Sequence, residues 1–178
     1  IAESIVRGQG PNPFGTAFLG DAAIFVWFDA LFIALLGHSI TAIRSLAAVS
    51  GVLTLPVFYL LVREMFGKRV GLLALAMLAG SAVHNNFSRI ALPSAQVPLF
   101  TCLGLFLLYR AKQTQRAVWW LSAGVAGASA VYFHFVGRLV PLIFGLYIVY
   151  LLITERANRN VWLKGAGWAL LGGALSLL

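Results

Sequence analysis

Charge is what this sequence has least of. Only 10% of its 178 residues are Asp, Glu, Lys or Arg, 61% are hydrophobic, and the whole chain holds five acidic side chains. Soluble domains carry about 25% charge, so this composition cannot coat a water-facing surface and points to a polytopic membrane protein. Cysteine is almost as scarce. The single Cys102 lies inside an apolar run, which excludes an internal disulfide and a thiolate metal cluster. No zinc-ligand spacing, phosphate-binding glycine loop, dinucleotide glycine pattern or nucleophile-elbow serine occurs, so no motif implies a metal or cofactor, and a need for a divalent ion stays open. Also missing is the ten-residue alternation of a membrane barrel. The apolar residues come in runs of roughly 15 to 22, which makes the expected fold an all-α transmembrane bundle of about six helices plus a juxtamembrane helix.

The net charge of +8 would suggest nucleic acid in a soluble protein. Here the cations sit in short loops between apolar runs, so no nucleic-acid partner is expected. Residues 1–20 carry Glu3, Arg7 and the turn-rich Gly8-Gln9-Gly10-Pro11-Asn12-Pro13, and read as an external loop after a short helix ending at Gly8. Residues 21–37 are apolar and aromatic around Asp29. A carboxylate at mid-bilayer costs on the order of 2.5 to 3.5 kcal/mol, which favours a helix in the interface with Asp29 turned to water over a true span. Membrane spans are expected at 41–62, 70–83, 90–109, 117–133, 139–153 and 161–178, with Trp119 and Trp120 as an interfacial pair and Gly71, Gly80, Gly124 and Gly127 as helix-packing positions. The span at 70–83 is short at about 1.5 Å per residue, so it either runs on through 84–87 or ends in a protein-lined cavity.

Between these runs lie two polar knots, residues 84–89 (His84-Asn85-Asn86-Phe87-Ser88-Arg89) and residues 134–138. Three other loops, 63–69, 110–116 and 154–164, hold nine of the thirteen basic residues and alternate with the knots. Charge bias over short loops sets orientation, so the three loops face the cytoplasm and Arg44, Arg89 and Arg138 fall on the other side. There a cation is not explained by retention of positive charge. A guanidinium fork suits two oxygens of a phosphate, and a lipid phosphate is the natural ligand at a membrane edge. Arg89 and Arg138 are therefore the candidate phosphate-binding residues, with the alternative that they snorkel to the interface. His84, Asn85, Asn86, Ser88 and His134 are candidate substrate contacts; equally, the histidines can be structural hydrogen bonders and the asparagines helix caps.

The stretch Ala42-Ile43-Arg44-Ser45-Leu46, then Val49-Ser50-Gly51-Val52-Leu53-Thr54-Leu55-Pro56-Val57-Phe58-Tyr59-Leu60 and Phe66-Gly67-Lys68-Arg69-Val70-Gly71-Leu72-Leu73-Ala74, resembles the GT-C membrane glycosyltransferases of the protein O-mannosyltransferase and aminoarabinose transferase type. Phe87-Ser88-Arg89-Ile90 is similar to that family's second external loop, and residues 132–141, with Arg138-Leu139 before Pro141, to a later external segment. The resemblance covers nearly the whole chain. It implies a dolichyl- or undecaprenyl-phosphate-linked sugar as donor and a protein, lipid or glycan acceptor on the non-cytoplasmic face. The setting would be the plasma membrane of a prokaryote or the endoplasmic reticulum of a eukaryote. It also implies a juxtamembrane helix at 21–37. Two departures stand out. The family's catalytic acid would precede Ile1, and the loop acid expected after Arg89 falls at Ser94, while Glu3 is misplaced to serve instead. The chain begins with Ile and stops inside an apolar stretch, so it reads as an inactive fragment of a longer enzyme. The competing class is a transporter or other non-enzymatic polytopic subunit whose external arginines hold an anionic lipid or solute; intramembrane charge pairs or inverted repeats would favour it, and neither is evident.

The orientation is directly testable. With Cys102 replaced, single cysteines at Gln113 and Asn158 should be protected from an impermeant thiol reagent added outside while one at Asn86 labels. The reverse pattern would invert the topology.

Overall fold

The computed structural model describes residues 5, 6 and 24–177, of which Ile5 and Val6 are helical; the expected helix end at Gly8 and the rest of the external loop lie outside the described residues. Eight longer helices follow in order, and no strand occurs among the described residues: α1 (Ile24–Leu36), α2 (Ile40–Phe66), α3 (Lys68–Ala79), α4 (Ala82–Phe87), α5 (Val97–Thr114), α6 (Ala117–Ser129), α7 (Leu139–Thr154) and α8 (Arg159–Leu177). Short 3-10 turns at Pro93–Gln96, Ala130–Tyr132, Phe135–Arg138 and Arg156–Asn158 join them. The fold is an all-helical membrane bundle. Three stretches, Ile40–Phe66, Pro93–Thr114 and Phe135–Thr154, are long and apolar enough to cross a bilayer; Ile24–Leu36 and Ala117–Tyr132 are apolar but shorter.

Capping explains the boundaries. The Ser39 hydroxyl accepts from the Ala42 N–H at 3.1 Å and starts α2. Gly67 ends it, donating to the Arg63 carbonyl at 2.8 Å with φ of 89°, a value that a side chain would resist, and the chain reverses into α3 through this one residue. α3 stops at Ala79, and its C-cap is Gly80, whose N–H reaches the Ala76 carbonyl; the glycine expected to pack helices is a terminator instead. Ser81 then caps α4 by accepting from the His84 N–H. The run expected at 70–83 is thus broken at Gly80 and Ser81, because a serine free to cap and a glycine beside it favour a new start over one more turn. Pro93 opens a 3-10 turn and Pro98 lies in the first turn of α5, where no intrahelical donor is lost.

Two ion pairs gather the helix ends. Arg110 on α5 meets Glu64 on α2 at 3.2 Å, and Lys112 on α5 meets Glu155 beyond α7 at 2.7 Å. The C-terminal ends of α2, α5 and α7 therefore share one end of the bundle, together with the three basic loops. By connectivity the two polar knots belong toward the opposite end, where the Tyr132 hydroxyl donates to the Ser176 carbonyl at 2.8 Å and ties α6 to α8.

Small residues set the packing. A Cβ on Gly124 of α6 would collide with the Ala169 carbonyl of α8, and one on Gly165 of α8 with the Trp120 indole. From α7 the Phe144 ring slots between Gly104 of α5 and Gly127 of α6. Trp120, expected at the interface with Trp119, is instead 2% exposed and packed 6.3 Å from Trp162. Adjacent residues on a helix point about 100° apart, so the two are not buried alike. Trp119 is the half-buried member, at the edge of the core, with the Arg110 guanidinium 5.6 Å from its ring centroid.

Gly124→Ala should cost about 1–3 kcal/mol, since neither backbone can yield without parting α6 from α8. Gly145→Ala, where a Cβ meets open space, should be neutral or slightly stabilising. Resistance to unfolding in mixed detergent micelles measures both.

Candidate functional site

The first knot is built from α4 and the turn after it. Ser88 donates its hydroxyl to the His84 carbonyl at 2.7 Å, its own N–H reaches the same carbonyl at 3.0 Å, and the Arg89 N–H reaches the Asn86 carbonyl at 3.0 Å. The Asn85 amide donates to the Ala79 carbonyl at 3.1 Å, closing the gap between α3 and α4. Ser88 rests on Gly51 of α2, at a point where a Cβ would strike its side chain. Gly51 lies twelve residues before Arg63, or about 18 Å up α2 from the basic-loop end, with about 16 Å of helix still to run toward Ile40. The first knot is accordingly set part-way along α2 rather than at its tip.

The second knot is the turn Phe135–Arg138. His134 accepts from the Val136 N–H through Nδ1 at 3.3 Å, and its ring lies 4.3 Å from Phe135. Gly137 is pressed against the Ala130 carbonyl so closely that no side chain fits. Beside the second knot, Phe100, in the first turn of α5, stacks on Phe133 at 5.0 Å, and Phe28 of α1 approaches the same ring at 5.9 Å. Phe25, Leu46 and Phe133 form the small buried cluster beneath. α1 thus lies across the knot end, against α2 and the approach to His134.

The candidate residues divide in two. Ser88, Asn85 and His134 use their side chains to hold local backbone. Arg89, Arg138 and Asn86 are exposed, His84 is half-buried, and their side chains make no hydrogen bond or ion pair among the described residues. No such bond joins one knot to the other. Arg44 is likewise exposed and unpaired, near the start of α2. Ser94 sits in the 3-10 turn, followed by Gln96, which is 1% exposed; with its amide turned to face them, Nε2 lies 2.6 Å from the Pro93 carbonyl and 3.2 Å from that of Leu92. A buried Gln among apolar neighbours was the available sequence signal for this turn. Beside the second knot, an apolar cavity of about 440 Å³ opens between α6, α7 and α8, lined among others by Val131, Pro141, Phe144 and Gly173. Among the described residues no three His, Cys, Asp or Glu side chains gather as metal ligands.

The described residues form a helical membrane bundle with both of their ion pairs at one end and unpaired arginines toward the other, the architecture of an integral-membrane protein. The family model for dolichyl-phosphate-mannose-protein mannosyltransferase matches residues 21–178, and the chain belongs to that family, making it a membrane glycosyltransferase of GT-C type. No curated protein and no solved structure matches it.

Asp29 departs from expectation. Its carboxylate, expected to face water, is 6% exposed, and Oδ1 has no hydrogen-bond partner among the described residues. The reason is packing: Phe25, Asp29, Ala30 and Ile33 share the face of α1 turned inward, and their shape as a docking surface outweighs the polarity of one member. Burial pushes the carboxyl up from 3.8 to about 7. Because the folded state holds the proton more tightly than the unfolded chain, the buried acid is without penalty below about pH 4, and stability falls as pH rises from about 4 to 7. Thermal stability should therefore drop between about pH 4 and pH 7, and Asp29→Asn should remove that drop; a scan of both proteins across this range decides it.

Proposed function

We propose that the chain takes a polyprenyl-phosphate sugar from the membrane and passes the sugar, with inversion, to a protein, lipid or glycan acceptor on the non-cytoplasmic face. The donor is a dolichyl or undecaprenyl phosphate sugar, and Arg89 with Arg138 binds its phosphate. The observation that carries the reading is the asymmetry of charge. Both ion pairs among the described residues lie at the basic-loop end, whereas Arg44, Arg89 and Arg138 have no carboxylate partner and await an anion. In the reaction the acceptor heteroatom attacks the anomeric carbon, the bond from that carbon to the phosphate oxygen breaks, and the polyprenyl phosphate leaves with its charge met by the guanidinium. A carboxylate takes the acceptor proton; neither knot contains one, so the base lies elsewhere in the enzyme. His84 and Asn86, with the less free Asn85 and His134, line the approach for sugar hydroxyls, while the Ser88 hydroxyl is spent on the His84 carbonyl. The apolar cavity near Pro141, three residues from Arg138, suits the isoprenoid chain. Membership of a glycosyltransferase family weighs against the transporter reading.

Arg89→Ala in the full-length protein should lower turnover by about 10²- to 10³-fold with insertion and abundance unchanged, the scale expected when one anion-stabilising donor is lost. Arg89→Lys should recover only part, keeping the charge and losing the fork. Radiolabelled sugar transfer from a polyprenyl-phosphate donor is the measurement, and near-normal turnover in Arg89→Ala would return this arginine to a snorkelling role.

A further inference from the structure

Glycine in the middle of a helix is a poor choice for the helix itself, which would be better served by alanine. Gly51 lies inside α2, far from either cap, so the helix gains nothing from it. What uses it is the first knot. A Cβ at position 51 would overlap the Ser88 hydroxyl, stand 2.6 Å from the Ser88 Cβ and 3.5 Å from its Cα. The hydroxyl cannot simply swing aside, because it is committed to the His84 carbonyl at 2.7 Å, and the Cβ cannot move without the backbone. Ordinary carbon contacts begin near 3.5 Å, so a methyl at position 51 would drive the turn away from α2 by roughly 1 Å. The residue carried with it is Arg89, the next in the chain.

We infer that Gly51 is a positioning residue for Arg89: by letting Ser88 seat on the bare backbone of α2, it sets the height along the helix at which the guanidinium is offered. The inference rests on the reading of Arg89 as the donor-phosphate cation. Gly51 touches no substrate and acts only through Ser88. The Ser88 hydroxyl, which sequence alone offered as a sugar contact, is here a spacer held in one rotamer, and its size is matched to the absent side chain across from it.

The geometry makes the pair separable by substitution. Ser88→Gly removes both the Cβ and the hydroxyl, leaving only a Cα at contact distance, and so makes room for a methyl at position 51. Ser88→Ala removes the hydroxyl but keeps the Cβ, and so does not. In the full-length protein with Cys102 replaced, a fluorophore on Ile90→Cys, read by depth-dependent quenching from brominated lipids, reports the height of the knot; transfer from polyprenyl-phosphate sugar reports its use. Gly51→Ala should shift the quenching profile and lower kcat/KM by up to about 10²-fold, chiefly through KM for the donor, as a misplacement of this size does. Adding Ser88→Gly should restore both readouts, and adding Ser88→Ala should restore neither. An unchanged quenching profile in Gly51→Ala would overturn the inference, as would rescue by Ser88→Ala. A shifted profile with unchanged transfer, while Arg89→Ala abolishes transfer, would also overturn it, leaving Arg89 in its role and Gly51 without one. Normal transfer in Arg89→Ala would instead sink the reading of Arg89 on which the inference stands.

Discussion

Inside a bilayer, two helices gain nothing by hiding apolar surface from lipid tails, which are as apolar as they are. They associate where backbones approach closely enough for dispersion to add up over many atoms. The closest such approach brings α6 and α8 together through Gly124 and Ala169. Phe144 fills the slot left between Gly104 and Gly127, so α5 and α7 are referred to the same pair of helices. Tyr132 and Ser176 close the seam at its far end. Because the 3-10 turns of the second knot continue directly from α6, the frame that presents Arg138 inherits its rigidity from small residues more than a helical turn away.

Charge is distributed to a second purpose. At the basic-loop end Glu64 and Glu155 each take a cation from α5, and the Arg110 guanidinium is further held over Trp119. Half-exposed pairs of this sort add little stability, but they fix which helix ends are neighbours. Three of the five carboxylates in the sequence are Glu64, Glu155 and the buried Asp29, so few acids remain for the arginines at the other end. The sparsity of acid noticed first in the composition is what leaves those guanidiniums without a carboxylate partner among the described residues.

Much of the fold was legible because hydrophobic runs in a membrane protein are long and their interruptions few. The breaks at Gly67 and around residues 115 and 155 coincide with turn residues or charge, and the helices follow. What could not be seen depended on facing. Trp119 and Trp120 share a composition signal but not a direction, so one became core. Asp29 was assigned to water on the cost of its charge, yet the inward face to which it belongs, with Phe25, Ala30 and Ile33, docks as a unit and takes the carboxyl with it, at the expense of a raised pKa. Gly80 and Gly124 look alike in sequence, but one ends a helix and the other receives a neighbouring backbone. Among the candidate site residues the same limit applied: Ser88, Asn85 and His134 had the chemistry for a ligand and spend it on local carbonyl and N–H groups, which only three-dimensional placement reveals.

The seam between α6 and α8 has a consequence for how the protein is made. The two helices are not consecutive; α7 lies between them in the chain. In order of synthesis α6 is complete before α8 emerges, with the whole of α7 made in between. Until then Gly124 lacks the Ala169 backbone that packs on it in the finished bundle. Assembly of the bundle is therefore governed by late, non-sequential pairing, and the early hairpin of α2 and α3, closed through Gly67 alone, is the unit able to form first.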